Sequence, residues 1–315
     1  MLARVANNLF WMGRYIERSE HIARYMNVNY FSSLDAPNDL SQSRQFVLES
    51  MLYMIGDPKG QEDLKLSEKE VLNNLGLNTK SSYSIINNVK AARENANSAR
   101  DLISTELYES INKFYHFVLN YDVDHFVNKG LYDFTVNITE STAILRGKIR
   151  STLLHDQVYA IIMLGINIER ATQIIRIINA KYHDALNAKG SYGDQIANSF
   201  EWTTMLKCSE AYDMNRRFYK KTPTRTTTLE FLVLNGDCPR SVMNSLNQVF
   251  SHMQVLDRTK HPLKNSTSFL VGKLRAELSF MLAEEIEDNV KEFIERILNR
   301  LYEISQQMER EFFNY

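Results

Sequence analysis

The segment between Asp156 and Lys181 limits the possible folds of this chain more than any other part of it. Its only charged residues are Glu169, Arg170 and Arg176, and isoleucine, leucine and methionine occupy both sides of a helix drawn through it. A helix that is apolar all round is normally buried. A buried Glu or Arg is rarely left unpaired, because removing its partner costs about 3–5 kcal/mol. We therefore predict a buried central helix here, whose charges meet partners from other helices.

A related segment stands near the start of the chain. Its sequence from Gly13 to Arg18 is Gly-Arg-Tyr-Ile-Glu-Arg, and residues 165–170 are Gly-Ile-Asn-Ile-Glu-Arg. When residues 9–28 are aligned with residues 161–180, the identical positions are Gly13/Gly165, Ile16/Ile168, Glu17/Glu169, Arg18/Arg170, Ile22/Ile174, Arg24/Arg176 and Asn27/Asn179. Surface charges change freely between copies of a duplicated helix. A Glu-Arg pair present in both segments therefore indicates a shared structural or chemical role.

The first of these segments belongs to a predicted amphipathic helix. Apolar residues recur at three- and four-residue spacing from Leu2 to Tyr30, which predicts a helix of about 28 residues. The charged or titratable residues opposite this stripe are Arg14, Glu17, Arg18 and His21. A solvent-exposed face with ion pairs between neighbouring turns has the same pattern. For this helix alone, the pattern leaves both a surface position and a buried position open.

Adjacent residues on a helix point about 100° apart, so Glu169 and Arg170 cannot fully satisfy each other. Each must reach a different helix, which predicts a central polar Glu/Arg network, and we expect the helix around Arg93 to supply further partners. Two interpretations stay open. One is a purely structural buried network. The other is a site in which Arg18 and Arg170 hold an anionic group, and in that site the neighbouring acids Glu17 and Glu169 orient it.

The chain as a whole has the pattern of an all-α protein. It contains 11 Gly and 5 Pro, so few turns are available, which favours long helices over many short strands. Residues 226–234 are rich in β-branched side chains, but we predict a helix because their counterpart, residues 67–77, has a helical pattern. Further helices are predicted over residues 43–55, 84–93 with a continuation up to 121 at the furthest, 125–154, 196–219 and 239–258, with two more up to 313. Loops are predicted at residues 59–62 and 190–193.

The order of these elements repeats along the chain. Beyond the two Glu-Arg segments, matching positions in the two halves are Leu75/Leu232, Leu77/Leu234, Asn78/Asn235, Ser84/Ser241 and Asn87/Asn244. Two regions that match in the same order favour duplication over chance. We therefore predict one domain, residues 1–315, that is an internally duplicated multi-helix bundle with two similar halves, about 1–155 and 156–315.

The helix around Arg93 is a second place where an anion could bind. Alanines at positions 92, 96 and 99 allow another helix to approach closely beside a polar face. That face contains Arg93, Glu94, Asn97 and Arg100. A guanidinium inserted between helices can bind a carboxylate or a phosphate with two hydrogen bonds. A well-packed helix with ordinary surface charges has the same sequence, so both interpretations stay open.

Two further segments have weaker signals. Arg240 and Ser241 follow Pro239 at a predicted helix start, where free backbone N–H groups can bind an anion, although such a start is more often only a cap. The stretch over residues 216–225 is basic and contains two aromatic residues. A solvated loop is the default interpretation of such a stretch, so nucleic-acid binding is not our expectation.

Several classes of function lack their usual parts in this sequence. The formal net charge of −1 gives no basic field for nucleic acid or membranes. Cys208 and Cys238 lack the spacing of zinc ligands, and a di-metal bundle needs Glu-x-x-His pairs, whereas Glu17 and His21 are four residues apart. No Walker loop, GxGxxG, HExxH or GxSxG motif is present. We expect no metal, no cofactor and no membrane span, and we predict a cytoplasmic location.

Together these residues resemble the alpha-E domain family, a bacterial all-helical family with a Glu-Arg signature. The matching stretches are residues 1–24, 92–101, 164–176 and 239–242. Ile166 stands where the family usually repeats Arg after Gly, and Tyr83 stands where it has Pro or Ser. The resemblance implies neighbours rather than a reaction, because family members commonly sit beside a circularly permuted ATP-grasp protein and a transglutaminase-like peptidase.

The resemblance and the missing catalytic motifs favour one function over another. The first hypothesis is a non-catalytic helical subunit that binds an ATP-grasp-type peptide ligase and holds its peptide or amino-acid substrate. The alternative is an enzyme in its own right, in which Glu17 or Glu169 is a general base tuned by burial. In that case Arg18, Arg170 and Arg93 would act together with these glutamates.

Overall fold

A computed structural model describes residues 2–36, 43–57, 65–187, 194–257 and 263–313 of the protein. These residues form helices and connections without any strand, which confirms the all-α prediction. The helices of the first half are α1 (Ala3–Ser32), α2 (Arg44–Ile55), α3 (Glu68–Gly76), α4 (Ile85–Ser98), α5 (Thr105–Leu119) and α6 (Leu131–Thr152). Those of the second half are α7 (Gln157–Asn187), α8 (Asp194–Cys208), α9 (Tyr212–Tyr219), α10 (Arg225–Val233), α11 (Val242–Leu256), α12 (Thr267–Ser279), α13 (Ala283–Asp288) and α14 (Val290–Met308).

The centre of the fold is the contact between α1 and α7, where two glycines let the helix backbones touch. A Cβ atom on Gly13 would lie 2.5 Å from the carbonyl oxygen of Ile162. A Cβ atom on Gly165 would overlap the carbonyl oxygen of Phe10 in the same way. Isoleucines on both sides of α7, among them Ile166, are fully buried, so this helix is central as its sequence predicts.

The other helices cover this central pair in a similar way in the two halves. The helices α4 and α6 pack on α1, and α11 and α14 pack on α7. Further out, α5 packs on α4 and α6, and α12 packs on α11 and α14. The helices α2 and α8 contact both central helices. The packing around α1 and α7 is therefore similar in the two halves, although the second half has the additional short helices α9 and α13. An origin by duplication stays a prediction.

Several predicted helix ends are confirmed by the residues that form them. The helix α2 begins after Ser43, whose hydroxyl accepts a hydrogen bond from the Phe46 backbone N–H at 3.3 Å. It ends at Gly56, which adopts a left-handed conformation with φ of 79°. The segment around residues 226–234, which could have been a strand, is the helix α10.

Other boundaries differ from the prediction because a local cap or turn ends a helix. The helix α4 ends at Ser98, since Ser104 caps a new helix by accepting a hydrogen bond from Leu107 N–H at 3.1 Å. The helix predicted over residues 196–219 is divided, because Glu210 adopts a left-handed conformation with φ of 54°. The helix α11, predicted over residues 239–258, begins at Val242 rather than at Pro239. The predicted loops at residues 59–62 and 190–193 lie outside the described residues.

The helix α7 is longer than its sequence pattern predicts, because it continues beyond Lys181 to Asn187. Among the described residues, α7 is the one helix that is long and apolar enough to cross a membrane. However, 72% of its most apolar 18-residue stretch is buried inside the protein. Such burial is what a core helix of a soluble protein shows.

Candidate functional site

The crossing of α1 and α7 brings the two Glu-Arg dipeptides together. Each arginine pairs with the glutamate of the other helix. Arg18 donates from Nε and Nη2 to the two carboxylate oxygens of Glu169, at 2.6 Å and 3.0 Å. Arg170 donates in the same way to Glu17, at 2.6 Å and 3.1 Å. These bidentate pairs are charge-assisted, and both glutamates are completely buried.

The residue one turn after each glutamate completes the reciprocal arrangement. The amide nitrogen of Gln173 donates to Glu169 Oε1 at 2.8 Å. His21 occupies the matching position on α1, and its Nε2 lies 3.2 Å from Glu17 Oε1. The expectation that the charged face of α1 could be solvent-exposed is therefore wrong for Glu17 and His21, which lie in the interior.

One end of the crossing is organised around Glu169. Arg14 donates from Nε to Glu169 Oε2 at 2.8 Å and from Nη1 to Ser305 Oγ at 2.6 Å, and its guanidinium lies 4.6 Å from the Trp11 ring centroid. Arg176 follows Glu169 by two turns on the same face of α7, and it donates a hydrogen bond to a backbone carbonyl of α2 at 3.2 Å. We call this set, Arg14, Arg18, Glu169, Gln173 and Arg176, the Glu169 cluster.

The other end of the crossing contains more acidic residues. Arg240 donates to Glu20 Oε1 at 2.8 Å, approaches Glu17 Oε1 at 3.5 Å and pairs with Glu210. Arg146 of α6 also pairs with Glu20 and lies 3.6 Å from Glu17 Oε2. The Glu17 cluster consists of Glu17, Glu20, His21, Arg24, Arg146, Arg170, Glu210 and Arg240.

A family model described as a predicted alpha-helical domain with a conserved ER motif matches residues 1–313. The chain belongs to the alpha-E family. No curated protein and no solved structure is significantly similar to it. The Glu-Arg dipeptides at residues 17–18 and 169–170 of this alpha-E chain are the residues that join its two central helices.

The two clusters differ in their charge. Among the described residues, the Glu169 cluster of this alpha-E chain has three arginines against one glutamate. The Glu17 cluster has four arginines against three glutamates, and His21 adds no charge because burial lowers its pKa despite the contact with Glu17. The excess of positive charge is therefore larger around Glu169.

The arginines keep both central glutamates ionised. Burial by itself raises the pKa of Glu169, but the charges of Arg18 and Arg14 outweigh burial and hold that pKa well below its ordinary value. Burial likewise opposes ionisation of Glu17, and Arg170 holds the pKa of Glu17 well below its ordinary value. Both carboxylates are therefore charged at neutral pH.

The positive charges of two arginines are less fully compensated by nearby carboxylates. Burial lowers the pKa of Arg146 to about 10 against the attraction of Glu17, and repulsion from Arg240 adds to this effect. Burial also lowers the pKa of Arg176, with repulsion from the other arginines of the Glu169 cluster. Solvent reaches the Glu17 cluster mainly through Glu210 and Arg146, whose side chains are 48% and 23% exposed. In the Glu169 cluster, the side chain of Arg18 is 27% exposed.

The helix that contains Arg93 is not part of either cluster, so the expectation that it supplies their partners is wrong. The side chain of Arg93 points to α5, where Nε donates to Asn112 Oδ1 at 2.8 Å. Asn97 accepts a hydrogen bond from Tyr108 of α5, and Arg100 lies over the Tyr108 ring. Glu94 is exposed. Ala92 and Ala96 of α4 are buried, and α4 packs on α1, which turns the polar residues outwards.

At the start of α11 the sequence signal has a structural explanation. Ser241 Oγ accepts a hydrogen bond from Asn244 N–H at 2.9 Å and donates to Asn235 O at 2.5 Å, so Ser241 is a helix cap. Arg240 reaches away to the Glu17 cluster instead of to an anion at the helix end. Ser84 caps α4 in the same way, accepting from Asn87 N–H at 3.4 Å.

Sequence reasoning missed four residues of the Glu17 cluster, namely Glu20, Arg24, Arg146 and Glu210, and it named Arg240 only as part of a helix start. Glu20 and Arg24 lie on the same face of α1 as Glu17, one and two turns further on, and this spacing could have identified them. Arg146 comes from α6 and Glu210 from the turn between α8 and α9, and no local pattern marks them. Among the described residues, no group of three or more His, Cys, Asp or Glu is arranged to hold a metal ion.

Sequence reasoning also missed a third buried polar cluster, which lies around Lys181. Lys181 contacts Asp184 at 2.7 Å, Glu201 at 2.8 Å and Asn29 Oδ1 at 3.0 Å. Burial opposes the charge of Lys181, but Asp184 and Glu201 outweigh it and raise its pKa well above the ordinary value. The side chains of Lys181, Asp184 and Glu201 are at most 3% exposed, so this cluster joins α1, α7 and α8 without a route for a ligand.

Proposed function

We propose that this alpha-E chain is a non-catalytic, cytoplasmic helical subunit that holds an anionic group for an ATP-grasp-type peptide ligase. The anionic group binds at the Glu169 cluster. The observation that carries this proposal is the excess of guanidinium groups around Glu169, three against one carboxylate, in a largely buried position. Arginine binds carboxylate and phosphate groups in a fixed two-hydrogen-bond geometry, so such a cluster is suited to an anion.

The exposure of Arg18 supports this location. Its side chain is 27% exposed while its guanidinium is already oriented by Glu169. A guanidinium that is held by one carboxylate loses little conformational entropy when it binds a second anion. The equivalent Arg170 is only 12% exposed and belongs to the more nearly neutral cluster, so the two arginines of the Glu-Arg pairs have different roles in this proposal.

The protonation state of the glutamates favours a binding role over a catalytic one. A general base works best when its pKa lies near the working pH. The arginines instead hold the pKa values of Glu17 and Glu169 well below the ordinary value. Neither carboxylate is exposed, and no other observation favours the alternative enzyme.

The ligase and a transglutaminase-like peptidase as partners rest on the family resemblance. A peptide substrate of a ligase has a carboxylate, and a nucleotide has phosphates, and both anions match the charge of the Glu169 cluster. The helical subunit would position such a group while the ligase performs the reaction.

Isothermal titration calorimetry with the dipeptide Glu-Glu and with inorganic phosphate tests the anion site. We expect one of these anions to bind, and Arg18→Gln to weaken binding by about tenfold or more, because one charged hydrogen-bond pair is worth about 1.5–3 kcal/mol. Arg170→Gln is the matched control, since it breaks the equivalent ion pair in the other cluster and should leave affinity nearly unchanged.

Two outcomes would contradict the proposed site. If neither anion binds, the network is structural. If Arg170→Gln weakens binding as much as Arg18→Gln while circular dichroism shows both variants folded, the site is not at Glu169. The partner is tested separately, by adding the helical protein to the purified ligase and measuring ligation rate; an unchanged rate and no co-elution on size exclusion would exclude the ligase as partner.

A further inference from the structure

A basic and aromatic surface formed by α9 lies outside both clusters. It surrounds a hollow of about 360 Å³. The residues that line the hollow are Met214, Arg217, Phe218, Phe231, Asn235, Asp237 and Cys238. We call these residues, together with Arg216, Lys220 and Lys221 beside them, the Phe218 surface.

The apolar part of this surface is incompletely buried. The Phe218 side chain packs against Phe231 and Tyr219, with ring centroids 5.8 Å and 4.9 Å apart, yet Phe218 remains 59% exposed. Because most of this ring is still in contact with water, much of the free energy of burying it is available to a partner. A hollow of this size is at the lower end of the range for binding pockets, and it suits a single apolar side chain.

The charge around the hollow is mainly positive. Arg216, Arg217, Lys220 and Lys221 are all exposed, and the sequence has no acidic residue between Asp213 and Glu230. The Arg216–Asp213 contact is 3.8 Å long between two exposed side chains, so it neutralises little. Glu230 accepts a hydrogen bond from Tyr219 at 2.8 Å, and Lys221 Nζ lies 5.8 Å from the Tyr219 ring centroid, which keeps that lysine beside the aromatic residues.

We propose that the Phe218 surface docks an acidic segment of a partner protein, which inserts one apolar side chain into the hollow. Complementary charge would orient the segment and speed its association, and the inserted side chain would supply the anchor. A protein segment fits better than a nucleic acid because the chain has a formal net charge of −1, and so no extended basic field, while Met214, Phe231 and Cys238 give the hollow an apolar lining. This docking role is independent of the proposed anion site.

Fluorescence anisotropy with a labelled Glu-Glu-Phe-Glu-Glu peptide tests this surface on the full chain. We expect saturable binding that weakens as salt rises from 0.05 M to 0.3 M, and at least fivefold weaker binding when Ala replaces Phe in the peptide. Phe218→Ala and Arg217→Gln should each weaken binding at least fivefold. Phe280→Ala is the matched control, because Phe280 is 88% exposed and does not line the hollow.

The outcomes separate docking from its alternatives. Absence of binding, equal affinity of Phe218→Ala and the unchanged protein, or equal loss in Phe280→Ala would each overturn the proposal. Tighter binding of a labelled oligouridylate than of the peptide would also overturn it, in favour of nucleic acid. Thermal melts of both alanine variants establish that any loss of binding occurs in a folded protein.

Discussion

Replacing Gly13 by alanine should separate the two central helices. The new Cβ would lie 2.5 Å from Ile162 O, about 0.9 Å short of ordinary van der Waals contact, and also 3.2 Å from Ile166 N. Both atoms belong to the backbone of α7, so no side chain can rotate away to make room. The helices α1 and α7 must therefore move apart or tilt.

The cost of this movement follows from the contacts that cross the same interface. A shift of about 0.9 Å would lengthen the Arg18–Glu169 and Arg170–Glu17 hydrogen bonds from 2.6–3.1 Å to beyond the range of about 2.7–3.2 Å that such bonds require. Overpacking alone costs about 1–3 kcal/mol. Weakening a buried charged pair adds about 1.5–3 kcal/mol, while the higher helix propensity of alanine returns about 1 kcal/mol. We expect Gly13→Ala to destabilise the protein by about 3 kcal/mol.

Urea unfolding followed by circular dichroism measures this change. Urea slopes are about 1–3 kcal/mol/M for small proteins and increase with chain length, so for this 315-residue protein the midpoint should fall by about 0.5–1 M. Gly147→Ala is the matched control: Gly147 lies on α6 with no atom within 4 Å of the added Cβ, so that variant should gain about 0.5–1 kcal/mol. A Gly13→Ala protein as stable as the Gly147→Ala protein would refute the reasoning.

Three further predictions concern the charges and the caps. Glu169→Gln should lower the free energy of unfolding by about 3 kcal/mol, because the arginines around it lose their buried counter-charge; an unchanged urea midpoint would contradict this. The folded-state pKa values of Glu17 and Glu169 are lowered, so their ionisation stabilises the fold fully at any pH above the unfolded value of about 4.3. This stabilisation is lost progressively as the pH falls from that value towards the lowered folded-state pKa values. A urea midpoint that is constant from pH 7 to pH 3 would show otherwise. Ser241→Ala should cost about 1–2 kcal/mol in thermal or urea unfolding, whereas Ser279→Ala, at the exposed end of α12, should cost almost nothing.

Much of the fold could be predicted because the local patterns are strong. The apolar surroundings of Glu169 on α7 require burial, and capping serines and Gly56 place helix ends within a residue or two. The misplaced boundaries have local causes as well. Ser104 starts a new helix where propensity allowed continuation, and Glu210 takes a left-handed conformation that is rare for a residue with a side chain.

The residues of the candidate site could be predicted from the sequence only in part. The paired Glu-Arg dipeptides identify four of its residues, because a buried charge must have a partner and Glu169 cannot be satisfied by the adjacent Arg170. The sequence could not distinguish Arg146 and Glu210 from ordinary surface charges, since their partners lie on other elements, at least 30 residues away along the chain. For the same reason it placed Arg93 in the network, although that side chain contacts α5.

The amino-acid sequence by itself determined that this chain is helical, that α7 is buried, and that its charges need partners, because helical periodicity and the cost of an unpaired buried charge act locally. Only the tertiary structure decided which partners they have. The close contact at Gly13 and Gly165 sets the two helices in register, so each arginine reaches the opposite glutamate. That geometry also leaves the positive charge unequal at the two ends of the crossing, because electrostatic balance depends on distances between residues that are far apart in the sequence.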